Sequence, residues 1–599
     1  MNERLRNRVT RAAVLSGGIV VFLLAVILFL TPPADGYEFS VYRALPVEFW
    51  ILAISGLVLC QLLIVRYALW DDDAPVSWRY GVGIALSIET LILSLPYFRG
   101  YQAYDRADVL THIGYIRSIH QYGTPPAKDI YPNIHIVTLS LSYATGIEPL
   151  RIINTISVVV PVFSVLAWYA FVVRLYDRRR ALLTLPFAIL FVAGSAYTNP
   201  SPYTQISLVV PFVLYLFVRE RQTRSVPARI ALAVTAVALV IYHPIITLFV
   251  SGILFVYVLV ELALRARSGG DRSRASVGNS VTLQLLVGLF LSWYHGFGPV
   301  IRRSREAIRG LLGTSGGQSP LGQYSSAVSS TSPKLSDILV IGFVEYGVSA
   351  IFLGIGGLYI LAKAYDGLTG RFDVDVYEGM FVVSFVAFAG ASVCFLVFDL
   401  IVGFGRPLLY VNIFGALLAG PLFYWAYQRL DFRRGVTLFL CVTLVAYSTF
   451  GVLSLYHSPL KAEPGRHVTD AELEGSQWLL DHRNRFFGTV EYGITLWRFG
   501  DTYFGVNKSS QREMVDPESP LPPPSFGYRT NDTLGSSYQT NQYMIITTKG
   551  REFYPSMYPD YRDQWRFHNR DFERLRRDPT TSQVYHNGNV NVYRINGTG

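Results

Sequence analysis

The chain has 599 residues, of which 51% are hydrophobic and only 16% charged, and its mean hydropathy is +0.32. That balance excludes a soluble enzyme of this length and places the chain in a bilayer. The net charge of +10 does not indicate nucleic acid, because the lysines and arginines cluster in short loops beside apolar runs, where they set membrane orientation.

In chain order, the basic stretch MNERLRNRVTR precedes an apolar run at 12–31. The run is too long for a signal peptide and lacks a small-x-small cleavage site, so it reads as a retained anchor. Further runs lie near 47–66, 79–97, 150–173, 181–198, 204–218, 227–243, 245–265, 280–300, 336–362, 378–402, 407–427 and 434–455. Each is read as a helix crossing roughly 30 Å of hydrocarbon, the form that satisfies its own backbone in lipid. The three cysteines, Cys60, Cys394 and Cys441, fall inside these runs and imply neither a disulfide framework nor a thiolate metal site.

With Arg4, Arg6, Arg8 and Arg11 held inside, the basic turns at 177–180, 219–224, 265–274 and 431–434 come out cytoplasmic. The odd number of spans puts the tail outside the cell membrane. The short run 134–146, IHIVTLSLSYATG, is read as lying at the outer interface, since counting it as a span would invert Asp177 to Arg180. The glycosylation triplets at Asn507, Asn531 and Asn596 all lie in the tail.

The expected fold is an all-α polytopic membrane protein of about 13 spans with a C-terminal extracytoplasmic α+β domain. The divisions are 1–97 (N-terminal spans), 98–149 (outer loop with interfacial helices), 150–456 (helical core) and 457–599 (separate soluble domain). In the tail, TDAELEGSQWLLDHR predicts a capped helix. FFGTVEYG, YMIITTKG and the segments flanking Asn587-Gly588 predict strands and a hairpin. No internal repeat of the kind common in secondary transporters is visible.

The loop 98–133 carries the chemistry. Asp105, Asp108, His112 and Tyr115 are spaced three and four apart, which predicts one polar helix face, with Val109, Ile113 and Ile116 on an apolar one lying along the membrane. Two carboxylates and an imidazole at head-group height suit a base acting on a lipid-borne substrate. The plainer reading is that any amphipathic surface helix needs a polar face. Lys128, Arg151, Arg302, Arg303, Arg305, Arg309 and Arg406 also come out on the outer side, against the positive-inside tendency. An anionic ligand such as phosphate explains them economically; snorkelling interfacial arginines are the alternative. His243, in the turn YHP, reads as a satisfied loop histidine, while His295, Glu345 and Asp399 near outer span ends read equally as cavity lining or structural pairing. There is no HExxH, Walker loop, GxGxxG after a strand, or serine nucleophile elbow.

From Tyr104 to about Arg180 the order of features is an acid opening the first large outer loop, a surface helix, the turn Tyr131-Pro132, a short apolar helix, Gly146, Arg151 starting a span, and a basic turn. This order resembles the GT-C glycosyltransferases, which use polyprenyl-phosphate sugars. Within them the chain is most similar to archaeal dolichol-phosphate-mannose mannosyltransferases of surface-layer N-glycosylation, including the outer tail ending VYHNGNVNVYRI. The resemblance implies transfer of a hexose, mannose in the first instance, from a dolichyl-phosphate donor to a lipid-linked or protein-linked glycan, with inversion. Asp108 or Asp105 would be the base, Asp108 being preferred as one turn from His112 and deeper in the predicted helix. Arg406 and Arg302 or Arg303, with Lys128 and Arg151, would bind the donor phosphate. His112 and His135 would bridge base and phosphate, and Tyr131, Tyr115 and His243 would contact sugar or acceptor. Two departures stand: the outer loop 197–205 has no second acidic motif, so no metal ligand is assigned and divalent-metal use stays open. The tail also lacks a WWDYG-type motif, which argues against en bloc transfer to asparagine. The alternative is a transporter or flippase for a lipid-linked glycan, which would need charges through both leaflets.

Overall fold

The computed structural model describes residues 3–597 except 70–77, 128, 189–196, 199, 268–280, 312–319, 324–332, 372, 399–402, 511–520 and 531. Every predicted span overlaps a helix: Glu3–Leu30, Val47–Leu69, Trp78–Leu93, Pro149–Leu175, Arg178–Ala188, Pro202–Thr223, Val226–Tyr242, Pro244–Arg267, Val281–Tyr294, Leu335–Leu368, Val376–Val397, Gly405–Arg429 and Arg433–Ser454; 189–196 of the span 181–198 and 399–402 of the span 378–402 lie outside the described residues. Among the described residues nine of these are long and apolar enough to cross a membrane, and Val226–Tyr242 and Val281–Tyr294 are shorter apolar helices. Starts are set locally: Ser201 and Ser225 cap their helices by accepting from the amides of Thr204 and Ala228, each followed by proline in the first turn. Gly405–Arg429 is the hub, packed against Arg178–Ala188, Leu335–Leu368 and Val376–Val397. A Cβ on Gly420 would sit 2.3 Å from the Arg180 carbonyl oxygen, so the two backbones touch as small-residue helix crossings allow.

The loops segregate to two ends. At one, Arg180 lies over Tyr424, Lys363 pairs with Glu378 at 3.1 Å, and the Trp425 indole donates to Asp366 at 3.0 Å. Elsewhere the loop 98–149 packs with the tail, and Arg406 lies over Tyr203 beside His243.

In the loop, β1 (Ala103–Tyr104) pairs antiparallel with β2 (His467–Val468) at the start of the tail. The tail helix Asp470–His482 opens on a Thr469–Glu472 capping box. Beyond it, β3 (Gly488–Tyr492), β4 (Gln542–Thr547), β5 (Thr581–His586) and β6 (Val590–Ile595) form a sheet of order β3-β4-β6-β5, with β3 parallel to β4 and the other pairs antiparallel. The β5–β6 hairpin turns at Asn587-Gly588, with Gly588 at φ 92°, a value that favours glycine.

The loop helix spans Asp108–Tyr122. Asp105 lies before it, so the four polar residues predicted to share one helix face do not. Its apolar residues Val109, Leu110, Ile113, Ile116 and Ile119 pack with Leu479, Leu496, Phe499, Ile545 and Val592 in one core, not along lipid. Amphipathic spacing announces that a face is buried; it does not say against what. Close approach is permitted by Gly114, whose Cβ would lie 2.7 Å from the Asp501 carbonyl oxygen on the tail helix Leu496–Phe504.

Candidate active site

The strand pair β1–β2 presents Asp105. Its amide donates to the Arg466 carbonyl at 2.9 Å, its backbone is left-handed at φ 84°, and it is 3% exposed. Non-glycine residues hold such a conformation when their surroundings over-determine it, and here they do. The neighbouring Arg106 pairs with Glu472 at 2.5 Å and lies over Tyr37, and the His467 ring is sandwiched between Tyr37 and Tyr101 at 4.6 and 4.0 Å. Burial pushes the Asp105 carboxyl up to about 6, although the Arg466 guanidinium, 3.9 Å away, pulls it down.

Asp108 is different. It begins the helix, so depth within it gives no preference over Asp105. Its side chain is 56% exposed and lies 3.3 Å from Arg498. Arg498 stacks on Trp497 and donates to the Thr111 hydroxyl at 2.8 Å, and Thr111 donates to Asp501.

Deeper in the loop, His112 Nδ1 lies 2.9 Å from His135 Nε2, and His135 Nδ1 lies 2.7 Å from Asp129 Oδ2. Tyr115 stacks on His135 at 5.0 Å. Burial, with positive charge from His135 and Arg498, holds His112 well below the usual histidine range. An aromatic column continues from here: the Tyr131 ring meets His112 edge-on at 6.3 Å and stacks on His243 at 5.5 Å, Tyr203 meets His243 edge-on, and the Arg406 guanidinium lies 4.8 Å over Tyr203. Among the described residues Arg406 pairs with no carboxylate. Among the described residues the buried His243 Nδ1 has no partner, which corrects the reading of His243 as a satisfied histidine.

The structure thus gathers His112, His135, Tyr115, Tyr131, His243 and Arg406, and sets Asp105 and Asp108 beside tail arginines. Arg302 does not join them; it is exposed on the helix Gly298–Leu311. Arg151 is exposed at the start of Pro149–Leu175. Lys128, Asp399 and the side chain of Arg303 lie outside the described residues. His295 is exposed and bonds the Ser292 carbonyl, while Glu345 pairs with Lys461 at 2.6 Å, a structural role. Sequence reasoning missed Asp129, Arg466 and Arg498. Asp129 was signalled by its place just before the Tyr131-Pro132 turn; the arginines, hundreds of residues downstream, carry no local signal. Among the described residues no three histidine, cysteine, aspartate or glutamate side chains converge as metal ligands.

No protein-family model matches the chain, and no curated protein does. It is similar to the oligosaccharyltransferase of Archaeoglobus fulgidus in complex with zinc and sulfate, at 13% identity over 80% of this chain and 70% of that one, with a TM-score of 0.48. It is also similar to the archaeal oligosaccharyltransferase AglB from Archaeoglobus fulgidus in complex with an inhibitory peptide and a dolichol-phosphate (12%, 86% and 71%, TM-score 0.45). A third is ArnT from Cupriavidus metallidurans bound to undecaprenyl phosphate (12%, 92% and 98%, TM-score 0.43).

Proposed function

We propose that this protein is a membrane glycosyltransferase of the GT-C type, moving a sugar, by its sequence resemblance mannose, from dolichyl phosphate to a hydroxyl of a lipid-linked or protein-linked glycan on the outer face. The observation that carries this reading is Asp105: a buried carboxylate, left-handed in backbone and clamped by two strands, with its pKa near the working range of a general base. A carboxyl near 6 is mostly ionised at neutral pH yet more basic than an ordinary aspartate, which favours proton abstraction.

In this reading Asp105 takes the proton of the acceptor hydroxyl as its oxygen attacks the anomeric carbon. The bond to the phosphate oxygen breaks on the opposite face, so the configuration inverts. The departing phosphate gains charge, and Arg406, held on Tyr203 without a carboxylate partner among the described residues, stabilises it where water is scarce and Coulombic attraction is strong. Tyr131 and Tyr115 wall the sugar. Asp108, exposed and paired with Arg498, orients the acceptor.

The test is reconstitution in liposomes with radiolabelled dolichyl-phosphate mannose or glucose and a dolichyl-diphosphate oligosaccharide. Asp105→Asn should lower transfer by roughly 10²- to 10⁴-fold, the usual contribution of a general base, and Asp108→Asn by less than about tenfold on the same scale. Undiminished transfer by Asp105→Asn refutes the base; no transfer of either sugar by the wild type, with the donor flipped across the bilayer instead, refutes the transferase.

A further inference from the structure

Asp129, His135 and His112 form a hydrogen-bonded row that the transfer step above leaves unused. The Asp129 and His135 side chains are 0% exposed, and each contact is short, 2.7 and 2.9 Å. His112 Nε2 is the ring nitrogen of the row that bonds nothing among the described residues. Three proton arrangements satisfy both contacts with an uninterrupted direction; the one that makes His112 an imidazolium donating from both ring nitrogens is disfavoured by its burial near Arg498, which leaves two. If the row carries no extra proton, Asp129 is a carboxylate, each imidazole donates from Nδ1, and His112 ends in a bare Nε2 lone pair. If it carries one, whether on Asp129 or on His135, then His135 donates from Nε2, His112 accepts at Nδ1, and the His112 proton must sit on Nε2. The net charge of the buried row, −1 or 0, therefore decides which tautomer His112 adopts.

Burial decides the charge. Among the described residues Asp129 Oδ1 is buried with no partner, so there the anionic row leaves a carboxylate out of water with a single neutral donor. An uncompensated buried ion is strongly penalised, and an imidazolium partner or protonation relieves this. The flat stacking of Tyr115 on His135, 16° between planes, also favours a cation over a neutral ring.

We infer that Asp129 and His135 jointly hold one buried proton, and that this fixes His112 as the Nε2–H tautomer, a hydrogen-bond donor offered to an anionic oxygen. Asp129 and His135 are positioning residues acting through His112. The assignment of that oxygen to the phosphate of dolichyl phosphate rests on the proposed transferase function; the tautomer does not.

Two measurements on the full-length protein in nanodiscs separate these halves. Long-range ¹H–¹⁵N correlation on histidine-labelled protein at neutral pH should show His112 with a protonated Nε2 and a bare Nδ1, assigned by the signal lost in His112→Gln. A protonated Nδ1 on His112, whether Nε2 is bare or protonated, overturns the inference. Binding of dolichyl phosphate then tests the ligand. The amide of His112→Gln places an N–H where Nε2 stood and should keep affinity within about threefold, whereas His112→Asn reaches only the Nδ1 position and should weaken it roughly tenfold. Equal affinity in all three proteins, with the expected tautomer present, refutes the phosphate contact at His112. Absence of binding by the wild type refutes the dolichyl-phosphate reading and the ligand half together, and the spectrum alone then judges the tautomer.

Discussion

Replacing Asp105 by asparagine should make the protein more stable while removing the proposed base. The carboxyl is 3% exposed and its pKa rises from 3.8 to about 6 in the fold, so above pH 6 the native state carries a charge that the unfolded chain holds more comfortably. The sign follows from linkage: a carboxyl with a raised folded pKa favours the native state below its unfolded value, and that contribution is lost as pH rises through about 6. At 1.36 kcal/mol per pKa unit the charged form costs the fold about 3 kcal/mol at pH 8. Asparagine has the shape of the neutral acid and tolerates the left-handed backbone, whereas alanine adds roughly 1 kcal/mol of strain at φ 84°. The assay is apparent melting temperature in detergent at one fixed scan rate, because membrane proteins often unfold irreversibly, at pH 8, 6 and 4. Asp105→Asn should melt above the wild type at pH 8, with the gap closing by pH 4, and Asp105→Ala should gain less. A variant that melts below the wild type at pH 8, or a gain independent of pH, refutes the account of Asp105 as a strained, desolvated carboxylate.

Arg406→Gln should weaken dolichyl phosphate binding by roughly 10- to 100-fold, the loss of about 1.5–3 kcal/mol for a charged hydrogen bond. Arg406→Lys should recover only part, since a compact ammonium lacks the planar fork that the guanidinium over Tyr203 offers to phosphate; an unchanged Kd in Arg406→Gln removes that arginine from the proposed phosphate site. Gly114→Ala sets a methyl 2.7 Å from the Asp501 carbonyl oxygen, a backbone atom that cannot swing aside, and should cost about 1–3 kcal/mol. Limited proteolysis of the tail should then accelerate; an unchanged cleavage rate shows that the helix–helix contact is looser than it looks.

The spans were legible because a bilayer imposes a length and a polarity that few other sequences meet, and the run read as a short interfacial segment is the 13-residue helix Asn133–Thr145. At 1.5 Å per residue it is only about 20 Å long. The tail hairpin was legible from Asn587-Gly588, and the helix Asp470–His482 from its Thr469 and Glu472 cap. The loop was legible in part. Its helix and its His112 were anticipated, but the left-handed turn at Asp105 was not, because nothing local demands it: it is imposed by β2, over 350 residues away. The preference for Asp108 assumed an unbroken helix from 105 onward, and the helix starts three residues later.

That long-range pairing changes what the tail is for. Asp105 owes its burial to β2, its counter-charge to Arg466, and its fixed neighbour to the buried pair Arg106–Glu472, of which β2, Arg466 and Glu472 belong to the tail. Breaking such a buried pair from one side typically costs about 3–5 kcal/mol, so the tail cannot drift off the loop without exposing a stranded Arg106. Asp108 likewise meets the tail through Arg498. Each carboxylate proposed to act on the acceptor is thus conditioned by a residue beyond the last membrane helix. The pKa of Asp105 near 6 is a property of the docked pair: exposed to water, the same carboxyl returns to the ordinary aspartate range and loses the basicity that suits it to the role. The loop and the tail are therefore one structural unit assembled from two distant stretches of chain, and in the proposed function the membrane helices between them serve to hold its two halves at the same face.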